Sequence, residues 1–294
     1  MARVKSADRV IQIFEAIGSK KGGLTHSELA AELEIPKGSL SPLLSNLVDR
    51  GYLALDPPSK RYLLGPNLVV LTGRYLSSLE IVRIGRPIVQ ELVSEIDEDT
   101  EIVVMRGDEV LFVHKEECSK PLKYSIAIGE LAPVYATSAG KAILAHLPER
   151  EIARYLASVG LAPITRSSIT SVDALKRELK EIRAVGLAYG REEFHQGICG
   201  IAAPVFNLYG GVVGAVVVSL PSIRFNPKTK RFIEPRLERA AARISRQLGF
   251  AGQGRQDRHD RQDRDDRNVS QKSKLREEDV DGRISSSRKT RRTN

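Results

Sequence analysis

The sequence has no tryptophan, only two cysteines, few aromatic residues (5%) and no apolar run long enough to cross a bilayer. Most of these shortages narrow the function. Two thiols, Cys118 and Cys199, cannot build a disulfide framework in 294 residues, and they suit a reducing cytoplasm. The longest apolar stretch, GGVVGAVVVSL at residues 210–220, is too short for a membrane span and too rich in valine for a helix. The N-terminal MARVKSADRV has no apolar core, so no signal peptide is expected. His26, His114, His146, His195 and His259 are scattered, and no Cys/His quartet has zinc-site spacing, so no metal site is expected. GLAYG and YGGVVG are too irregular for a phosphate loop, and no cofactor is expected. What is present is 41% apolar residues, enough for a core, over a length that suggests about two domains.

Net charge is +9, a balance that favours polyanions without proving contact with one. It is spread thinly. Residues 1–65 carry nine Lys/Arg against seven Asp/Glu, and residues 251–294 carry thirteen against nine. The last segment, from AGQGRQDRHD onward, is nearly devoid of apolar residues and repeats Arg every third position from 255 to 267. It cannot bury enough surface to offset its ordering entropy, so residues 251–294 are expected to be a disordered charged tail. A solvated tail without a dedicated role is the simpler reading, and a salt-sensitive DNA tether is the other.

Residues 1–66 have helical patterning and end in the turn-like DPPSKRY. Val10, Ile11, Phe14 and Ile17 make a first amphipathic helix. Thr25 is a good N-cap with Glu28 three residues on, the capping-box spacing, and Leu24 and Leu29 fit a staple across the same helix start. After a turn at Glu34-Ile35-Pro36, a further helix places Leu40, Leu43, Leu44 and Leu47 on one face. Its other face carries Lys37, Ser39, Ser41, Ser45 and Asn46, short donors and acceptors suited to base edges and phosphates. Tyr52 to Leu55 and Tyr62 to Leu64 can pair across Asp56-Pro57-Pro58-Ser59, with Lys60 and Arg61 at the shoulder of the turn. Three helices and a basic-tipped hairpin form a winged helix-turn-helix. The expected DNA-binding residues are therefore Thr25, Lys37, Ser39, Ser41, Ser45, Asn46, Lys60 and Arg61.

Residues 67–96 are expected to be linker helices. Leu68, Leu71, Tyr75 and Leu79, then Ile81, Ile84, Ile88, Leu92 and Ile96, lie at helical spacing, and such an apolar face needs a partner in its own domain or on a second chain. From 97 to 250, β-branched runs alternate with helical stretches. EIVVMRG and EVLFVHKE form a hairpin across Gly107-Asp108, and ICGIAAPVFN and VVGAVVVSL form another through Leu208 to Gly211.

SADRVIQIFEAI, LTHSELAAELEIPKGSLSPLLSNLVDRGYL and YLLGPNLVVL together resemble the DNA-binding domain of the IclR family of bacterial transcription regulators. TSAGKAILAHLP, LKEIRAVGLAYGREEFHQGICGIAAPVFN and GGVVGAVVVSLPSIRF match the order and spacing of that family's effector domain, so the resemblance covers roughly residues 6–250. It implies an α+β chain whose second domain has a GAF-like fold, a six-stranded antiparallel sheet that carries helices and cups a small molecule. It also implies homodimers or homotetramers. Two residues depart from the pattern. Glu34 stands where many members have glycine, and Pro42 stands where many have arginine or another polar residue. A proline costs little in a first helical turn. The reading helix is therefore expected to start late, capped by Gly38 or Ser39, with Pro42 in its first turn.

The resemblance places one wall of an effector pocket at Ser138 and Ala139, where a helix start favours an anion. Other walls fall at Gly190, at Ile198, Cys199 and Gly200, and on the strand of Val217 and Ser219. Tyr124 can add a phenol to the same cavity. Gly190, Gly200 and Val217 offer no polar group, which points to more room and a larger or more apolar ligand, an organic or aromatic acid. The expected protein is a cytoplasmic one-component regulator, more often a repressor, that binds double-stranded operator DNA and is not catalytic. The rival is a small-molecule enzyme on the second domain with Cys199 as nucleophile, near Glu192, Glu193 and His195.

Overall fold

Glu34 takes a left-handed backbone (φ 52), and this turn separates two helices of the N-terminal unit. The computed structural model describes residues 4–124 and 126–251, and most of the expected tail lies outside them. The chain forms two compact units that divide between Arg83 and Ile84.

In the first unit, α1 (Lys5–Ser19), a short β1 (Leu24–Thr25), α2 (His26–Glu32) and α3 (Lys37–Asp49) precede the hairpin β2 (Leu53–Asp56) and β3 (Arg61–Leu64). β3 pairs antiparallel with both β1 and β2. The Thr25 capping box forms at both ends: Glu28 N donates to Thr25 Oγ1 at 3.3 Å, and Thr25 N donates to Glu28 Oε2 at 2.7 Å. Ile13, Ile17, Leu24, Leu29, Ile35, Leu40, Leu44, Leu47 and Leu53 form the core. The buried face of α1 runs through Ile13 and Ile17. Ile11 is 55% exposed, outside the face expected for it.

The reading helix also departs from expectation. α3 is continuous from Lys37, with Pro36 as N-cap and Leu40 N bonded to Pro36 O at 3.0 Å. Pro42 therefore lies in the second turn, not the first, and Gly38 O has no amide at position 42 to receive. Gly38 and Pro42 are both exposed, so water can take that carbonyl and the helix is not broken.

α4 (Pro66–Ser78) follows, ending where Leu79 turns extended, and α5 (Glu80–Ile96) runs across the boundary of the two units. The second unit is built on an antiparallel sheet in the order β6-β5-β4-β9-β8-β7. Its strands are β4 (Asp99–Arg106), β5 (Glu109–Glu116), β6 (Leu131–Pro133), β7 (Ala188–Arg191), β8 (Ile198–Phe206) and β9 (Val212–Pro221). Both expected hairpins form. Arg106 pairs Glu109 across a two-residue turn, and Val205 pairs Gly214 in the other. One face carries α6 (Ser138–Leu144), α7 (Glu149–Ser158) and α8 (Val172–Val185) over a core that includes Val103, Phe112, Ala215 and Val217. Alternation puts Ile102, Val216 and Val218 on the opposite face. There α5 approaches so closely at Gly85 that a Cβ would meet Ile102 and Ile244 of α9 (Pro227–Gln247).

Candidate DNA-reading face and ligand cavity

On α3, Lys37, Ser39, Ser41, Ser45 and Asn46 are all exposed, opposite the buried Leu40, Leu44 and Leu47. Two of the serines already have partners. Ser41 Oγ donates to Lys37 O and lies 2.9 Å from His26 Nε2, which ties α3 to α2, and Ser45 Oγ reaches Asp49 at 3.5 Å. Thr25 is occupied by its capping role. At the wing, Lys60 is exposed in a left-handed turn (φ 55), while Asp56 holds Ser59 across it. Arg61 points back into its own domain. It donates to Gly23 O at 2.8 Å and makes a two-pronged pair with Glu28 at 3.2 Å. Its guanidinium clamps the wing to the start of α2. The Glu28 carboxyl lies below the usual range, chiefly through its bonds to Thr25 and with help from Arg61.

In the second unit, all nine residues expected at a ligand pocket line one cavity of about 60 Å³: Tyr124, Ser138, Ala139, Gly190, Ile198, Cys199, Gly200, Val217 and Ser219. Strand alternation puts Gly200, Val217 and Ser219 on one sheet face, and Thr137 caps α6 over them by accepting from Gly140 N at 3.1 Å. The glycines do not widen the cavity as expected, because Ser138 fills their space. A Cβ at Gly200 would stand 2.5 Å from Ser138 Oγ, and one at Gly190 would stand 3.3 Å from Ser138 N. The glycines instead let α6 sit tight on β7 and β8.

Sequence reasoning missed much of the polar support. Lys141 is completely buried and grips both oxygens of Glu193 at 2.8 Å and Glu178 at 2.5 Å. Glu193 lines the cavity, and burial holds its carboxyl above the usual range despite Lys141. Ser219 Oγ donates at 2.9 Å to Glu101, which is buried and absent from the expected site. The aromatic side of the cavity is Phe112, Tyr124, Phe194 and His195, of which only Tyr124 was anticipated.

Residues 6–57 match the family described as the IclR helix-turn-helix domain, and residues 73–246 match the Bacterial transcriptional regulator IclR C-terminal family. The chain belongs to the IclR family. Among IclR relatives, the HTH-type transcriptional regulator KdgR of Escherichia coli is 29% identical over 248 residues, 84% of this chain and 94% of KdgR. The crystal structure of Thermotoga maritima IclR is similar in fold (TM-score 0.73, 27% identity, covering 84% of this chain and 100% of that one). So is an IclR homolog from Microbacterium hydrocarbonoxydans crystallised with 4-hydroxybenzoate (TM-score 0.73, 22% identity, covering 83% and 98%).

These IclR relatives are regulators, and the chain is a transcriptional regulator rather than an enzyme. Cys199, the nucleophile of the rival reading, is 4% exposed, and burial pushes its thiol up, away from the reactive thiolate. Among the described residues no cluster of His, Cys, Asp and Glu could hold a metal ion, and no helix is long and apolar enough to cross a membrane.

Proposed function

We propose that this IclR-family regulator is a cytoplasmic repressor, released or tightened on its operator by a compact organic acid. The observation that carries the ligand half is convergence: nine residues from five separate chain segments meet in one small cavity. Phe112, Tyr124 and Phe194 in its lining suit a flat ring, and the cavity of about 60 Å³ must widen to admit one. The relative bound to 4-hydroxybenzoate supports that class. In this reading residues 1–66 read DNA, 67–96 link, and 97–250 sense the ligand. Lys37, Ser39 and Asn46 are the free candidates for DNA contact on α3, and Lys60 is the phosphate contact of the wing. Ser41, Ser45, Thr25 and Arg61 contribute mainly by holding the reading surface in shape.

The partner is a palindromic operator held by a symmetric pair of chains. α4 supports pairing, since it has no buried residue and exposes Val69, Val70, Leu71 and Tyr75. Repression needs only occupancy of a promoter-overlapping site. For the ligand to act, its affinity must differ between the DNA-competent state and the other.

Binding of the full chain to DNA upstream of its own and neighbouring genes tests the reading, at two salt concentrations and against scrambled DNA. Selective binding that a ring acid shifts supports it, with a rise in transcription when the gene is deleted. Weak, salt-erased binding to both DNAs counts against it.

A further inference from the structure

His195 lies in a loop that the structure holds firmly. Glu192 is left-handed (φ 58) and its carboxylate accepts from Gly197 N at 3.0 Å. Thr165 Oγ1 donates to Glu192 O at 2.6 Å, Ser168 Oγ donates to Glu193 O at 2.8 Å, and Lys141 fixes the Glu193 side chain. The imidazole that this loop presents stands against Phe194 (centroids 4.1 Å, 63°) and Tyr124 (5.0 Å, 47°), and all three line the cavity.

Among the polar side chains of the lining, several are already satisfied within the protein. Thr137 caps α6, Ser219 donates to Glu101, and Glu193 pairs Lys141. His195 Nε2 differs: it is buried and no protein atom bonds it. Native structures seldom leave such an atom without a partner, and those that do invite an explanation in terms of a ligand or function. A held ring that lines the cavity and leaves its buried Nε2 unbonded can complete its bonding from a guest.

We propose that His195 sets the specificity of the cavity by pairing its Nε2 with a second polar group, a ring hydroxyl, on the bound ring acid. A neutral imidazole nitrogen donates in one tautomer and accepts in the other, and a hydroxyl answers either. Tyr124 and Phe194 hold the imidazole in place and supply the flat surfaces that a ring packs on. The inference rests on the ring-acid reading above.

The test uses the full chain and three probes: benzoate, 3-hydroxybenzoate and 4-hydroxybenzoate, titrated by calorimetry into the wild type, His195→Phe and His195→Asn. The wild type is expected to bind one hydroxylated isomer about tenfold tighter than benzoate, the value of one buried hydrogen bond kept or lost. His195→Phe should erase that preference, bringing the affinities of the hydroxylated acids to within about twofold of that of benzoate in the same variant. His195→Asn should keep part of the preference, and it covers the case in which the phenylalanine does not fit. If the wild type shows no preference, or either variant keeps it in full, His195 is not the partner while the ring-acid reading stands. If none of the three acids binds the wild type, the ring-acid reading fails and this inference with it.

Discussion

Burial of the Glu101 side chain pushes its carboxyl up to about 8; the hydroxyl of Ser219 pulls it down, Asp99 pushes it further up and Lys115 opposes. One oxygen takes the Ser219 bond, and the other has no partner. Between the ordinary value of 4.5 and about 8, the folded chain keeps a proton that the unfolded chain has released. Stability from this group is thus full below 4.5 and falls as pH rises toward 8. Glu101→Gln removes the titration, so its melting temperature relative to the wild type should climb from pH 5 to pH 8.5. A difference that stays level with pH would show that Glu101 does not change protonation on unfolding. Lys141→Met is the opposite case. It leaves Glu193 buried without its cation and should cost about 3 kcal/mol, since breaking one side of a buried pair strands the other charge; denaturant unfolding measures it. Neither group was legible in the sequence. Glu193 and Glu178 lie 52 and 37 residues from Lys141, and no local rule predicts which acids will meet a buried lysine. Thr25 and Glu28 were legible because a capping box is a three-residue event.

At the scale of elements, the sequence patterns that repeat over short distances carried through, and what depends on a neighbouring segment did not. The β-branched runs on either side of Gly107-Asp108 predicted the β4–β5 hairpin, and leucine spacing predicted the buried face of α3. The Ile11 register failed because α1 turns Ile13 and Ile17, not Ile11, into the core of the first unit. Pro42 failed for a different reason. The helix does not start late to put the proline in its first turn; it runs through Pro42, and the lost bond faces water. Pro42→Ala should therefore restore the Gly38 carbonyl bond and stabilise the first unit. The gain is about 2 kcal/mol, the usual helix-interior cost of proline less the freedom returned to the unfolded chain. A lower first melting transition by calorimetry would contradict this. The two basic residues of the wing separate in the same way. Lys60→Ala should reduce the salt dependence of DNA binding by about one phosphate with no change in melting. Arg61→Ala should lower the melting temperature of the first unit, because it undoes the clamp to Gly23 and Glu28. Equal effects of the two substitutions on melting would remove the distinction.

At the scale of the whole molecule, α4 presents a surface that the single chain leaves unexplained. α4 buries no residue, yet Val69 is 74% exposed, Tyr75 50%, Val70 49% and Leu71 47%. A helix with that much apolar side chain in water is a helix waiting for a partner. A second copy fits best, because a two-fold pair uses the same patch on both chains and matches a palindromic operator. Leu71 and Tyr75 are one turn apart and lie side by side on the helix. Replacing both with glutamate should leave α4 helical, since glutamate is a good helix former, while setting like charges against each other across the pair. If a second copy is the occupant, the wild type is expected to sediment as a dimer or tetramer and the double variant as a monomer. It should lose roughly a thousandfold in operator affinity, toward the level of sequence-blind binding. Ligand binding by the second unit should survive, because no cavity residue lies in α4. A variant that still pairs and still holds the operator would mean that the chains associate through another surface, and that the exposed face of α4 has a different occupant.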